Sequence, residues 1–342
     1  MARIAFGMFD WIDHSGVPTP QLYEERFQLI AAAERAGFFG YHLAEHHGTA
    51  LGMAPSPAVF LAAVAQRTSR IRFGPLAFLV PLYEPLRLAE EICMLDNLSN
   101  GRLELGLSRG VSPHELACFG VDAAGTRPIF DEALEIVRRA LTEPVLDFEG
   151  RFFKYRDVPM PSKPVQKPYP PMWYPTHNPD SVEYAARHGY HYAGLGPAKV
   201  LRQLMDRYRD AWERHRHDDG RINGHVKNPI LGTMRQIFIA DTEAEAQAAG
   251  RAAYAVFYRN ITELWHRRQD AGVDQLFDLE GGLALGTILI GTAAQVRDQL
   301  VQQVEESSIN YLGASFAWGS LTHAQSMRSL ELFVNDVMPA LA

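Results

Sequence analysis

The chain has 342 residues, 47% of them hydrophobic, and a formal net charge of -7. That length is ample for a large core, and an acidic balance without a clustered basic face argues against nucleic-acid binding. Two cysteines, Cys93 and Cys118, make no disulfide framework, and no uncharged apolar run of about 18 residues or signal-like start is present, so a cytoplasmic protein with no membrane span is expected.

Residues 3–9, RIAFGMF, read as a first strand. A helix follows: Thr19 can cap it, Pro20 suits its first position, Leu22, Phe27, Ile30 and Ala33 recur at helical spacing, and Gly37 ends it. GYHLAE (40–45) is a second strand, and SPAVFLAAVAQRTS (56–69) a helix with Ser56 as cap. Residues 71–80 and 102–108 are strands separated by a helix over 83–99, and TRPIFDEALEIVRRALT (126–142) is the next helix. MWYP (172–175), HYAGL (191–195) and LGTMRQIFIA (231–240) are strands, each followed by a helical stretch. The basic-looking 207–221 is interrupted by acids and reads as a solvated helix end. INYLGASFAWG (309–319) is the last strand, and a helix over 323–341 closes the chain.

Short apolar strands without alternation are buried on both faces, which means a parallel sheet. Eight βα units in this length predict a (β/α)₈ TIM barrel, one domain over 1–342. An open doubly wound sheet is the rival, but the GxGxxG fingerprint is absent: GLSRG (106–110) does not match it. Three segments are expected as insertions. They are a hairpin near 146–155, a Pro-rich connector over 159–171, and a stretch over 258–286 without a clean pattern, read as a lid at the barrel mouth.

Barrel active sites lie at the C-terminal ends of the strands. Glu45, His46 and His47 follow the second strand there. Neighbouring residues on an extended chain point to opposite sides, HExxH spacing is absent and no Cys pair assists, so no metal site is expected. His47 fits a structural histidine and His46 a chemical one.

At this point the residues resemble the bacterial luciferase-like flavin monooxygenase family. The carriers are LAEHHG (43–48), the run from Gly74 to Gly110 and EYAARHGY (183–190), in this order and at these distances. The resemblance covers essentially the whole chain and implies a (β/α)₈ barrel with reduced FMN in its mouth, supplied by a separate flavin reductase, and O2 as co-substrate. It implies His46 as the catalytic histidine. It places Arg109, with Gly110 and Val111, and Arg127 at the flavin phosphate, together with Thr176, His177, Asn178 and Ser181. Two guanidiniums and a helix start suit a dianionic phosphate. It also implies a non-proline cis peptide at Leu76–Ala77 beneath the flavin ring. Where luciferase has an acidic residue and a reactive cysteine, this chain has His177 and Ser108, which speaks against light emission more than against flavin binding.

The substrate pocket is expected to use Met8, Trp11, Phe78, Trp173, Phe316 and Trp318, all near strand ends, which implies a small apolar organic substrate: an aldehyde, ketone, alkane or aromatic. Core packing is the competing explanation for each. A hydride-transferring oxidoreductase that uses the deazaflavin coenzyme is the alternative function, and a non-enzymatic flavin-binding protein the second. The helix over 56–69 is apolar nearly all round, so a homodimer through it and the helix over 83–99, around Leu88, Ile92 and Leu95, is expected.

Overall fold

A computed structural model of the protein describes residues 4–176 and 178–341. In chain order the strands are β1 (Ala5–Asp10), β2 (Gly40–Leu43), β3 (Arg72–Pro75), β4 (Phe78–Leu79), β5 (Leu105–Ser108), β6 (Val145–Glu149), β7 (Lys154–Pro159), β8 (Met172–Pro175), β9 (His191–Gly194), β10 (Leu231–Ile239), β11 (Ile288–Gly291) and β12 (Tyr311–Ser315). The helices are α1 (Thr19–Arg35), α2 (Pro57–Arg67), α3 (Pro85–Leu98), α4 (Pro113–Cys118), α5 (Thr126–Thr142), α6 (Pro179–His188), α7 (Ala198–His215), α8 (Glu243–Arg267), α9 (Leu279–Ala284), α10 (Ala293–Ser307), α11 (His323–Leu332) and α12 (Met338–Leu341).

The sheet runs β3-β2-β1-β12-β10-β9-β8-β5-β4 with every pairing parallel. A parallel bridge between Phe73 and Leu103 brings its ends together, which makes the α/β barrel expected from the alternation. That closure needs glycine. A Cβ at Gly74 would overlap the backbone carbonyl of Glu104, and one at Gly106 would overlap that of Pro75.

Along each strand one set of side chains faces the helices and the other fills the barrel. The outer set joins Phe6, Met8, Tyr41, Leu43 and Leu312 to α1, α2 and α3. The inner set is small: Phe9, Ala44, Leu76, Trp173, Ala193, Met234 and Tyr311. Cβ atoms at Gly7 and Gly232 would overlap Tyr311, so these glycines let the Tyr311 ring plug the barrel floor.

The hairpin is β6 with β7, antiparallel, and 160–171 carries no regular element, both as expected. Two features differ from expectation. β11 and α10 form a further βα unit, with β11 pairing to the second half of β10. The 258–286 stretch is not irregular at its start, because α8 continues to Arg267 and α9 follows. Its helical period is hidden because Asn260 and Thr262 take buried positions where apolar residues are expected.

Candidate active site

The chain leaves the sheet after Leu43, and Glu45 becomes a buried hub at the barrel mouth. Its Oε1 lies 2.8 Å from His47 Nε2, and its Oε2 accepts the Leu79 amide at 3.1 Å and the Tyr83 hydroxyl at 2.9 Å. Burial, then the Glu45 charge, pushes the Tyr83 phenol far above its ordinary value, so it stays a donor. His47 is thereby fixed in place, with Phe119 edge-on to its ring at 4.8 Å.

His46 faces a different carboxylate. Its Nδ1 lies 3.0 Å from Glu115 Oε1, while Glu115 Oε2 accepts the His47 amide at 2.8 Å. Glu115 comes from the first turn of α4, where Ser112 caps the helix by accepting the Glu115 amide at 3.3 Å. An ionised carboxylate only accepts, so it assigns the proton to Nδ1 and leaves Nε2 for chemistry. Nε2 has no hydrogen-bond partner among the described residues, and the side chain keeps 16% of its surface exposed. The three residues of the motif do not converge on one point. Among the described residues no group of three or more His, Cys, Asp and Glu side chains is arranged to hold a metal ion.

β5 and β8 are neighbouring strands, so Arg109 after β5 and Thr176 after β8 follow adjacent strand ends. Arg109 follows β5, is exposed, and has no carboxylate partner among the described residues. Gly110 takes φ +86°, and Val111 beside it is 81% exposed. Arg127 lies at the start of α5. It pairs with Asp131 at 2.7 Å and sits over the Tyr184 ring of α6 at 5.5 Å, which ties the start of α5 to the middle of α6. Thr176 accepts the Asn178 amide at 3.1 Å, and Asn178 Oδ1 accepts those of Asp180 at 2.9 Å and Ser181 at 3.3 Å. The α6 amides thus already have an acceptor, which an incoming anion would have to displace or share. His177 lies outside the described residues. The Leu76–Ala77 peptide is cis.

The six expected substrate residues do not converge. Met8, Phe78 and Phe316 are fully buried among the residues between barrel and helices. Trp318 packs with Phe238 and Tyr254 in a separate cluster against α8. Trp173 lies inside the barrel, where its indole donates to Glu104 at 2.6 Å. Only Trp11 is half-buried, between Phe9 at 4.8 Å and Phe257 at 5.1 Å. Aromatic type alone does not tell a strand's inner face from its outer one.

Below Trp173 the floor is polar but neutral at its imidazoles. Burial lowers His42 to about 3, and burial with the Arg72 charge lowers His191 to about 3. Glu104 is held above its ordinary value by burial, opposed by the Arg72 guanidinium it contacts.

Sequence reasoning assigned no role to Glu115. SPHE (112–115) is a capping pattern that marks a helix start. Nothing in it tells that the glutamate turns away from its cap to meet His46.

A model of the luciferase-like monooxygenase family matches residues 4–311. An uncharacterized protein of Sinorhizobium fredii is 36% identical, covering 98% of this chain and 97% of its own. The oxygenase component of a flavin-dependent trigonelline monooxygenase from Acinetobacter baylyi is 26% identical, covering 94% and 91%. The solved monooxygenase RslO1 from Streptomyces bottropensis superposes with a TM-score of 0.83 at 28% identity over 99% and 100% of the two chains. The fold alone is shared with the oxygenating constituent of 3,6-diketocamphane monooxygenase from Pseudomonas putida in complex with FMN (TM-score 0.78, 22% identity, 100% and 99% covered). It is also shared with a coenzyme F420-dependent tetrahydromethanopterin reductase from Methanopyrus kandleri (0.73, 16%, 100% of both). The chain belongs to the luciferase-like monooxygenase family of flavin-dependent oxidoreductases.

Proposed function

We propose that the chain is the oxygenase component of a two-component FMN monooxygenase that takes reduced flavin from a separate reductase and O2 from solution, and acts on a small, largely apolar organic molecule. The observation that carries this reading is the Glu115-oriented His46 after β2, and it is supported by Arg109 after β5 and by Arg127 at the start of α5, whose guanidinium lies over Tyr184 of α6. These arginines suit the FMN phosphate: Arg109 lacks a carboxylate partner among the described residues, and Arg127 stands at a helix start. Leu76 belongs to the barrel interior, and the Leu76–Ala77 peptide leads into β4, which pairs with β5 just ahead of Arg109; a ring system would rest there.

Bound reduced FMN supplies the electrons for oxygen chemistry. The protein's share is positioning, water exclusion and one proton. His46, with Nδ1 engaged by Glu115, holds or delivers a proton at Nε2. Water exclusion falls to the 258–286 lid. Asn260 donates to the His14 carbonyl at 2.9 Å and Thr49 donates to the Asn260 carbonyl at 2.5 Å, while His114 meets Asp270 at 2.9 Å. A flavin-storage role would need neither an oriented histidine nor a lid.

The assembly we infer is a homodimer through α2 and α3. Leu88, Ile92 and Leu95, expected at that interface, face inward at 0–2% exposure, because α3 packs them on the barrel. The outward apolar residues are Val59, Met94 and Leu98, on helices joined by Gln66 donating to the Leu98 carbonyl at 3.1 Å.

The test is oxygen uptake in air with FMN, NADH and a flavin reductase. Apolar substrates should be oxygenated by the parent, and His46→Ala should lower that turnover by about 10² or more with little change in flavin affinity. Turnover that runs only on reduced deazaflavin, without oxygen, would establish the hydride-transfer alternative instead.

A further inference from the structure

Two polar side chains at the barrel mouth carry a buried atom without a hydrogen-bond partner among the described residues. Gln236 on β10 and Ser315 on β12 are register partners on adjacent strands, the last pair of that ladder. Gln236 is 8% and Ser315 1% exposed, and neither Gln236 Nε2 nor Ser315 Oγ has a hydrogen-bond partner among the described residues.

Alternation along the strands fixes the side they face. Met234 and Tyr311, on the same face as Gln236 and Ser315 respectively, belong to the barrel interior. The intervening Arg235 points the other way, to Gln303 of α10, and Ala314 packs with the outer layer. A Cβ on Gly313 would overlap the Met234 sulfur, which places that glycine, two residues before Ser315, on the inside as well. Both orphaned groups therefore look into the barrel at its C-terminal end. Tyr311 and Met234 close the space beneath them, and Phe9 and Trp11 stand on β1 and its following loop, on the other side of β12.

Buried polar groups in folded proteins nearly always have partners, and two unpaired neighbours facing one space ask for a ligand atom. An amide nitrogen donates only, and a serine hydroxyl can donate with it, so the atom they share is an acceptor oxygen. The adjacent Arg235 is turned away on the opposite face, to Gln303, so it does not favour a charged acceptor here.

We propose that Gln236 and Ser315 form a subsite for a neutral carbonyl oxygen of the substrate, whose hydrocarbon part lies against Phe9 and Trp11. The subsite rests on the reading of this mouth as an oxygenase site, and it narrows the substrate from any apolar molecule to a ketone or aldehyde.

The probes are cycloalkanones of six to twelve ring carbons, each against the cycloalkane of the same ring. Their binding to the complex with reduced FMN is measured by anaerobic titration. The parent should favour at least one ketone over its cycloalkane by about tenfold or more, the discrimination expected of a site built to hydrogen-bond. Gln236→Leu and Ser315→Ala should each remove most of that preference and leave cycloalkane and reduced-FMN affinities within about twofold. Should Gln236→Leu fail to fold, the smaller Ser315→Ala carries the same expectation. A parent without ketone preference, or variants that keep it, would overturn the subsite and leave a trapped water as the pair's partner. Loss of FMN affinity in the variants would also overturn it, by assigning the donors to a flavin carbonyl. A parent that binds no reduced FMN contradicts the oxygenase reading itself, and the subsite falls with it.

Discussion

One carboxylate, Glu115, holds His46 by its ring and His47 by its backbone, although 69 and 68 residues separate them: Oε1 lies 3.0 Å from His46 Nδ1 and Oε2 2.8 Å from the His47 amide. The ring orientation of His46 is therefore set by α4 and not by its own strand. Glu45, immediately before it, plays the same part for His47.

Glu115→Gln keeps the shape but offers an amide N–H to Nδ1 or forces the other tautomer. Turnover should fall about 10- to 100-fold, part of the usual range for acid–base roles, with reduced-FMN affinity held within about threefold. Steady-state oxygen uptake checks the first expectation and anaerobic titration the second. Turnover equal to the parent's would show that Glu115 only shapes the loop.

Acid should weaken the fold through the barrel floor. His42 and His191 are held near 3 against an ordinary 6.5, both mainly by burial. The unfolded chain takes up these protons below about pH 6.5 and the folded protein does not, so their contribution is present above that pH and is lost as pH falls. Asp13, raised to about 6 chiefly by burial, works the other way: its contribution is full below 3.8 and is lost as pH rises through 6. His42 has no hydrogen-bond partner at either nitrogen among the described residues and lies edge-on to Trp173 at 4.7 Å, so phenylalanine can replace it. Between pH 7 and pH 5, His42→Phe should lose about 2 kcal/mol less stability than the parent in urea unfolding. Parallel losses in both proteins would mean that His42 titrates normally.

Gly74→Ala should destabilise by about 3 kcal/mol or abolish folding, because its Cβ meets the Glu104 backbone where the barrel closes and neither side can move away. Thermal unfolding of the purified variant reads this. An unchanged melting temperature would place the closure elsewhere.

The barrel was legible because its strands are short, apolar and evenly spaced, and helices such as α1 and α6 carry plain start and stop signals. The extra β11–α10 unit was missed because it departs from the eightfold alternation. The α8 extension was missed because Asn260 and Thr262 occupy buried positions. At the site, the mouth position of His46 followed from the strand ends. Glu115 did not, since a contact spanning 69 residues leaves no local trace. Gln236 and Ser315 read as ordinary strand residues, because an unpaired buried atom shows only when its surroundings are known.

For the assembly, Val59→Glu with Met94→Glu should convert a dimer to a mass of one chain, 38.3 kDa, in light scattering. Both residues are exposed, at 74% and 60%, so folding should be spared. Phe60 and Val64 are unsuitable for this purpose, since Phe60 stacks on Phe27 at 4.8 Å and Val64 is fully buried. A double variant that stays dimeric would move the interface elsewhere, and a parent of one-chain mass would remove the dimer altogether.

We propose that this barrel mouth holds reduced FMN by its phosphate at Arg109 and Arg127. Anaerobic equilibrium titration with reduced FMN, repeated on Arg109→Ala and Arg127→Ala, tests it most directly. Saturable binding of one FMN per chain is expected, weakened about 10-fold or more by Arg109→Ala, the loss expected for a charge-assisted hydrogen bond worth about 1.5–3 kcal/mol. A smaller loss is expected for Arg127→Ala, whose guanidinium is already engaged by Asp131. Reduced FMN bound equally well by the parent and both variants, or not bound at all while reduced deazaflavin is, would contradict it.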